Sequence, residues 1–190
     1  MAMMIVGLVL MLGTHSVKVV APGWREAAIA RLGEGTYKGL YSAISVVGLV
    51  LVVWGFARAW EVPSFVYTPP LWGRHVAMAL MIPALILAFV SVFPAGGIKR
   101  FVSHPLLWAT ALWALAHLFA NGDLAGVVLF GAILAWAVID WIAQPNLSES
   151  GAATGAFGKW DFAAVLAGVA FYIVLIAGLH YWLFGVSPIV

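Results

Sequence analysis

The 190-residue chain has no cysteine. That excludes disulfides, thiolate metal sites, covalent c-type haem attachment and cysteine nucleophiles, and it removes the usual indicator of redox compartment. Charge is scarce as well: 9 Lys+Arg and 7 Asp+Glu make up 8% of residues and leave a formal net charge of +2. The pI near 9.1 magnifies that small excess because few groups titrate, so nucleic acid is not the implied partner. No Ser-His-Asp ordering, no Gly-rich phosphate loop and no paired carboxylates occur at a usable spacing. What is abundant is apolar: 65% of residues are hydrophobic and the mean hydropathy is +1.09. Soluble domains are nearer ~45–50% apolar and ~25% charged, so the composition is that of an integral membrane protein.

Charges punctuate such a chain, because an unpaired charge at the bilayer centre costs at least ~2.5 kcal/mol. The uncharged runs are 1–17, 39–57, 75–98, 101–122, 124–139 and 162–190. Each is close to or above the ~17–25 residues a helix needs to cross hydrocarbon, and only closed helical hydrogen bonding suits an isolated span. The expectation is an all-α bundle of six transmembrane helices forming one membrane domain, with 143–159 as a linker and 160–190 as the sixth helix. Pro145, Asn146, Ser148, Ser150, Gly151, Thr154 and Gly155 give that linker a flexible composition. After the first span, Trp24, Ala27, Ala28, Ala30 and Leu32 mix with Arg25, Glu26, Arg31 and Glu34. The mixture suits a short helix on the cytoplasmic surface, with a solvated connector as the plainer alternative.

Basic residues orient the bundle. Lys18, Arg25, Arg31, Lys38, Lys99, Arg100 and Lys159 fall in the odd-numbered connections, against Arg58 and Arg74 in the second. The odd connections are therefore expected in the cytoplasm and both termini outside. Trp54, Trp60, Trp72, Trp141, Trp160 and Trp182 fall near span ends, as an interfacial aromatic belt requires.

Histidine is the main strong transition-metal ligand left, at positions 15, 75, 104, 117 and 180. His15 and His117 sit well inside spans, where imidazoles of helical membrane proteins hold b-type haem or simply bond across helices. Trp113, His117 and Asn121 are spaced i, i+4, i+8 and share a face, which makes Asn121 a candidate hydrogen-bond partner for the His117 ring. His104, thirteen residues before His117, lies about 20 Å away along the axis and cannot share a metal with it. His104 precedes Pro105 at a helix start; His75 follows Arg74 after a rigid Pro69-Pro70 lead-in, and Pro83 is expected to kink that helix. His180 shares a face with Tyr172 and Ile176 near the outer interface. Asp123 is expected to cap the fifth helix, Asp140 to pair or snorkel near its inner end, and Gly122-x-x-x-Gly126 to give that helix a small face.

Three segments carry a resemblance. Leu32-Gly33-Glu34-Gly35-Thr36-Tyr37-Lys38-Gly39-Leu40-Tyr41-Ser42, then Thr68-Pro69-Pro70-Leu71-Trp72-Gly73-Arg74-His75, then His104-Pro105-Leu106-Leu107-Trp108 through Ala116-His117-Leu118-Phe119-Ala120-Asn121-Gly122-Asp123, resemble the NnrU family. The likeness runs from about Gly7 to Asp140, within a five-helix region 1–142. It implies a bacterial inner-membrane protein associated with nitrite and nitric oxide metabolism in denitrification; the spans and charge count above make it multi-pass with both termini periplasmic. The family includes the plant zeta-carotene isomerase, which uses haem b to isomerise a polyene double bond. Carried over, the resemblance makes His15 and His117 the iron ligands; helix spacing sets Trp113 and Asn121 beside His117, and depth makes His75 and His104 further candidates. Where the plant enzyme has cysteine three residues before the second histidine, this chain has Ala114.

Depth leaves other pairings open. With span centres near Met11 and Ala111, His15 and His117 are offset by about 15 Å at 1.5 Å per residue. On depth alone His15 belongs with His104, and His117 with His75 or His180. The leading expectation is a haem-b protein partnered by membrane lipid, nitric oxide and a nitrite or nitric oxide reductase system. The alternative is an enzyme, a haem-dependent cis–trans isomerase of a lipid-soluble polyene such as a carotene. A third class follows from Ser103-His104-Pro105, which is similar to the helix start of isoprenylcysteine methyltransferases, although their soluble cofactor elements have no counterpart after Pro145.

Overall fold

The computed structural model describes residues 1–144 and 156–189. Most of the linker expected between the last two spans lies outside the described residues. Among those described, the elements are α1 (Ala2–Val20), α2 (Pro22–Leu32), α3 (Glu34–Trp60), α4 (Leu71–Val92), α5 (Gly97–Phe101), α6 (Pro105–Ala120), α7 (Leu124–Ala143), α8 (Lys159–Val174), a π turn (Leu175–Leu179) and α9 (His180–Phe184). Among the described residues, extended pairing is limited to one antiparallel bridge between Phe65 and Asp123. Five segments are long and apolar enough to cross a membrane: Ala2–Val20, Glu34–Trp60, Leu71–Val92, Leu124–Ala143 and Lys159–Phe184. Even the most enclosed of them buries only 39% of its apolar window against protein, a surface that lipid and not water would cover.

The fourth expected span is shorter than its uncharged run. Helix α6 has 16 residues, about 24 Å of rise against a hydrocarbon core of about 30 Å. The cause is local: Pro105 occupies the first turn, and His104 before it adopts φ 56°, ψ 56°. A left-handed residue followed by proline fixes where this helix begins.

The chain divides into two compact units, Met1–Val66 with Asp123–Ala132, and Tyr67–Gly122 with Ile133–Val190. In the first, α1 packs along α3 at glycines. A Cβ at Gly55 would lie 2.3 Å from the Met4 amide nitrogen, one at Gly7 2.6 Å from the Gly48 carbonyl, and one at Gly48 2.8 Å from the Met11 nitrogen. Lipid gives apolar side chains no reason to associate, so backbone-to-backbone approach at small residues supplies the dispersion contact that holds the pair. The pairings 4 with 55 and 11 with 48 make the two helices antiparallel. Asp123 caps α7 as expected, accepting from the Gly126 amide at 2.8 Å, and the Leu124 amide donates to the Ser64 carbonyl at 2.7 Å.

In the second unit α4 is the wall against which both α6 and α8 pack. Gly73 meets Phe119, and Gly168 meets Ile86. Asp161, buried near the start of α8, accepts from the amides of Gly97 at 2.9 Å, Ile98 at 2.8 Å and Gly158 at 2.9 Å. Its carboxylate therefore serves the N-terminus of α5 and that of its own helix together. Lys99 donates to the carbonyls of Ser91 in the last turn of α4 at 3.2 Å and of Phe93 just past it at 2.6 Å. Asp140 is 5% exposed and paired through Oδ2 with the Gln144 amide.

Two expectations are corrected. Gly122 precedes α7, and its smallness accommodates the Tyr67 carbonyl, which a Cβ would strike, so it does not open a small helix face. The last span is not a continuous α-helix: the π turn interrupts it and Gly178 leaves helical geometry at φ 147°, ψ −17°. Tyr172, Ile176 and His180 therefore do not line up on one α-helical face. Trp54, Trp60, Trp72, Trp141, Trp160 and Trp182 are all exposed, as a belt requires.

Candidate functional site

Helix α1 carries Thr14, His15 and Ser16 in succession, and each satisfies itself on its own helix. Thr14 donates to the Leu10 carbonyl, the His15 Nδ1 to Met11 at 2.8 Å and Ser16 to Leu12 at 2.8 Å. Such bonds to the carbonyl four residues back let polar groups live inside an apolar helix. The His15 ring also lies 5.3 Å from that of Tyr41, tilted by 58°. His15 is half-buried and belongs to the first unit.

His117 belongs to the second unit and repeats the motif. Its Nδ1 bonds to the Trp113 carbonyl at 2.8 Å and its ring packs against the Trp113 indole at 4.9 Å. A carbonyl only accepts, so Nδ1 carries the proton and the lone pair is on Nε2, the form in which imidazole binds metals. The expected partnership of Asn121 with this ring is corrected: the Asn121 amide donates at 2.8 Å to the His117 backbone carbonyl, closing the helix end. The last turn is also fixed from outside. Tyr67 reaches the carbonyls of Leu118 and Asn121, at 2.8 Å from the latter, and its amide donates to Gly122 at 3.2 Å. Sequence reasoning did not single out Tyr67; its place directly before the Thr68-Pro69-Pro70 turn was the available signal.

The remaining histidines differ. His75 is exposed in the first turns of α4. His104 is the N-cap residue of α6, and its carbonyl accepts from Leu107 at 3.0 Å and Trp108 at 3.3 Å. His180 follows the π turn, donates its Nδ1 proton to the Val186 carbonyl at 2.7 Å and packs at 5.0 Å, tilted by 55°, against Phe184. Among the described residues no three His, Asp or Glu side chains converge on a point that would hold a bare metal ion. A pocket lined by Met1, Arg58, Val62, Ser64, Asp123 and Leu124, among others, holds none of the histidines.

Helices this apolar, with polar side chains turned back onto their own backbone and tryptophans at their ends, define a multi-pass α-helical membrane protein. Residues 3–188 match the family described as NnrU protein, and the chain belongs to that family. The match extends past the linker through α8, the π turn and α9. No curated protein and no solved structure matches the chain.

Proposed function

We propose that this chain is a haem-b-binding protein of the bacterial inner membrane that serves nitrite and nitric oxide metabolism, with His117 as an iron ligand. The observation carrying the reading is the His117 ring, half-buried in an apolar helix with Nδ1 tied to Trp113 and the helix end secured by Tyr67 and Asn121. The donor set fits: a porphyrin supplies four nitrogens, so two imidazoles complete its iron where a bare ion needs three or more protein ligands. When bound, an iron so ligated would supply one-electron exchange, or gas binding once one imidazole is displaced. The protein's part is to fix the imidazole tautomer, orient the ring and exclude water. The resemblance pairs His117 with His15. Ala114 is fully buried and offers no thiolate, so ligand exchange of the plant isomerase kind is not part of this reading.

Within this proposal the six uncharged runs all cross the bilayer, α6 as the short member, with α2 on the cytoplasmic surface and both termini periplasmic. The absence of cysteine makes orientation directly measurable. A cysteine at Ser64 is expected to react with a membrane-impermeant maleimide in intact spheroplasts, and one at Glu26 only after permeabilisation. The opposite pattern inverts the topology.

Haem binding is tested by purifying the protein in detergent with added haemin and recording its absorption. Wild type is expected to show a Soret band in stoichiometric yield, and His117→Ala to lose haem affinity by at least ~10-fold, since even the partners of ligating histidines are worth ~10–100-fold. A folded wild type without a Soret band ends the proposal.

A further inference from the structure

Lys99, Arg100 and Lys159 gather where α4 ends and α8 begins. The two places are joined within the second unit. Asp161 of α8 accepts from the Gly97 and Ile98 amides of α5, and the Phe101 and Phe157 rings stack with centroids 5.8 Å apart. Lys99 is turned inward, onto the carbonyls at the end of α4. Arg100 and Lys159 are exposed, and each rests on a ring: the Arg100 guanidinium carbon lies 5.9 Å from the Phe101 centroid, the Lys159 Nζ 5.3 Å from that of Trp160. Among the described residues the ion pairs are Lys38 with Glu34 and Arg58 with Glu61, so neither of these two cations has a carboxylate. Asp161, two residues from Lys159, is buried with both oxygens on backbone amides.

The position of Lys159 runs against local rules. It is the first residue of α8, where the helix dipole favours an anion. An anion supplied from outside the chain would remove that conflict. Below Lys159 an apolar face descends the helix: Phe162, Leu166 and Ile173 follow it at i+3, i+7 and i+14, on one side of α8, and are 67%, 53% and 54% exposed. The opposite side carries the buried Asp161, Ala164 and Gly168, the last of them against Ile86 of α4. Phe101 and Phe157, also exposed, link the two cations with further apolar surface. A cation at the head of a span with an uncovered apolar stripe running from it complements a molecule with phosphate at one end and acyl chains at the other. Inorganic phosphate or a soluble acidic peptide would match the charges and leave the stripe unused.

We propose that Arg100, Lys159 and the Phe162–Leu166–Ile173 face hold an anionic phospholipid, its phosphate at the basic end and an acyl chain along α8. Basic side chains at span ends reach the headgroup level in this way, and the attraction is specific to lipids of net negative charge. The contact is independent of haem.

The full-length protein in an uncharged detergent, titrated with dioleoyl phosphatidylglycerol or dioleoyl phosphatidylcholine, provides the test. Bound lipid is counted by native mass spectrometry and the thermal midpoint followed by circular dichroism, since a ligand of the folded state raises it. Phosphatidylglycerol is expected to bind wild type and raise the midpoint, and phosphatidylcholine to do neither. The double variant Arg100→Gln/Lys159→Gln is expected to keep the lipid-free midpoint and to need about 30-fold more phosphatidylglycerol, equivalent to about 1 kcal/mol for each basic residue. Arg100→Lys/Lys159→Arg keeps both charges and is expected to retain binding, which guards against a glutamine variant that fails to fold. Arg31→Gln/Lys38→Gln, which removes the same charge from the first unit, is expected to match wild type. Equal binding of the two lipids, equal loss in Arg31→Gln/Lys38→Gln, loss of binding in the charge-keeping variant, or the same stabilisation by inorganic phosphate or soluble polyglutamate would each overturn the proposal.

Discussion

Alanine at Gly55 is expected to destabilise the first unit by ~2–3 kcal/mol, the upper part of the range for forcing a methyl into a close-packed contact. The added carbon would sit 2.3 Å from the Met4 amide nitrogen and 2.7 Å from its Cα, both backbone atoms with no rotamer to yield. The helices would have to separate along the line that also includes Gly7 and Gly48. Alanine at Gly13 or Gly39 supplies the opposite sign, because nothing lies within 4 Å of a Cβ there and alanine raises helix stability by ~0.5–1 kcal/mol. Unfolding titrations in mixed micelles, followed by circular dichroism, separate the two. Equal responses at Gly55 and Gly13 would mean that α1 and α3 do not pack as described.

Asp161→Ala is expected to cost ~3–5 kcal/mol. The substitution removes a buried carboxylate that accepts three backbone amides, two of them on another helix, at 2.8–2.9 Å. Hydrogen bonds to a charged group contribute ~1.5–3 kcal/mol each, and partial access of solvent to the orphaned amides keeps the loss below their sum. Asp161→Asn keeps one acceptor oxygen and is expected to lose about half as much. The glycines belong to the same device: a Cβ at Gly96 would fall 2.4 Å from Asp161 Oδ2 and one at Gly97 2.7 Å from the Phe157 ring. Proteolysis between α5 and α6, rising in Asp161→Ala and unchanged in a surface variant such as Glu26→Ala, checks that the lost contact is this one.

The helical class, the capping role of Asp123 and the exposure of the tryptophans near span ends were legible because each rests on a local rule of charge, chain direction or span length. The bounds of α6 were not legible. Hydropathy continues through Phe101–Val102 without a break, while the helix start is dictated by the backbone of His104 and Pro105. Asp161 was overlooked for a related reason: its partners lie 63 and 64 residues away, and no periodicity reports a carboxylate that serves another helix. The role expected of Asn121 failed because spacing places its side chain beside the ring yet does not decide between imidazole and carbonyl as acceptor. His15 and His117 were recognised as singular from burial in apolar runs, and both do carry the same Nδ1-to-backbone bond. His180 was placed on one face with Tyr172 and Ile176 because an uninterrupted helix was assumed across Gly178.

The five-residue π turn makes the direction of everything beyond it a matter of residue count. Deleting Ala177 to restore ordinary winding would rotate the C-terminal segment by about 100° about its axis and shift it about 1.5 Å. No atom of the His180 imidazole would be altered, yet its azimuth would change by more than a quarter circle. A one-codon deletion can thus re-aim this side chain without changing it.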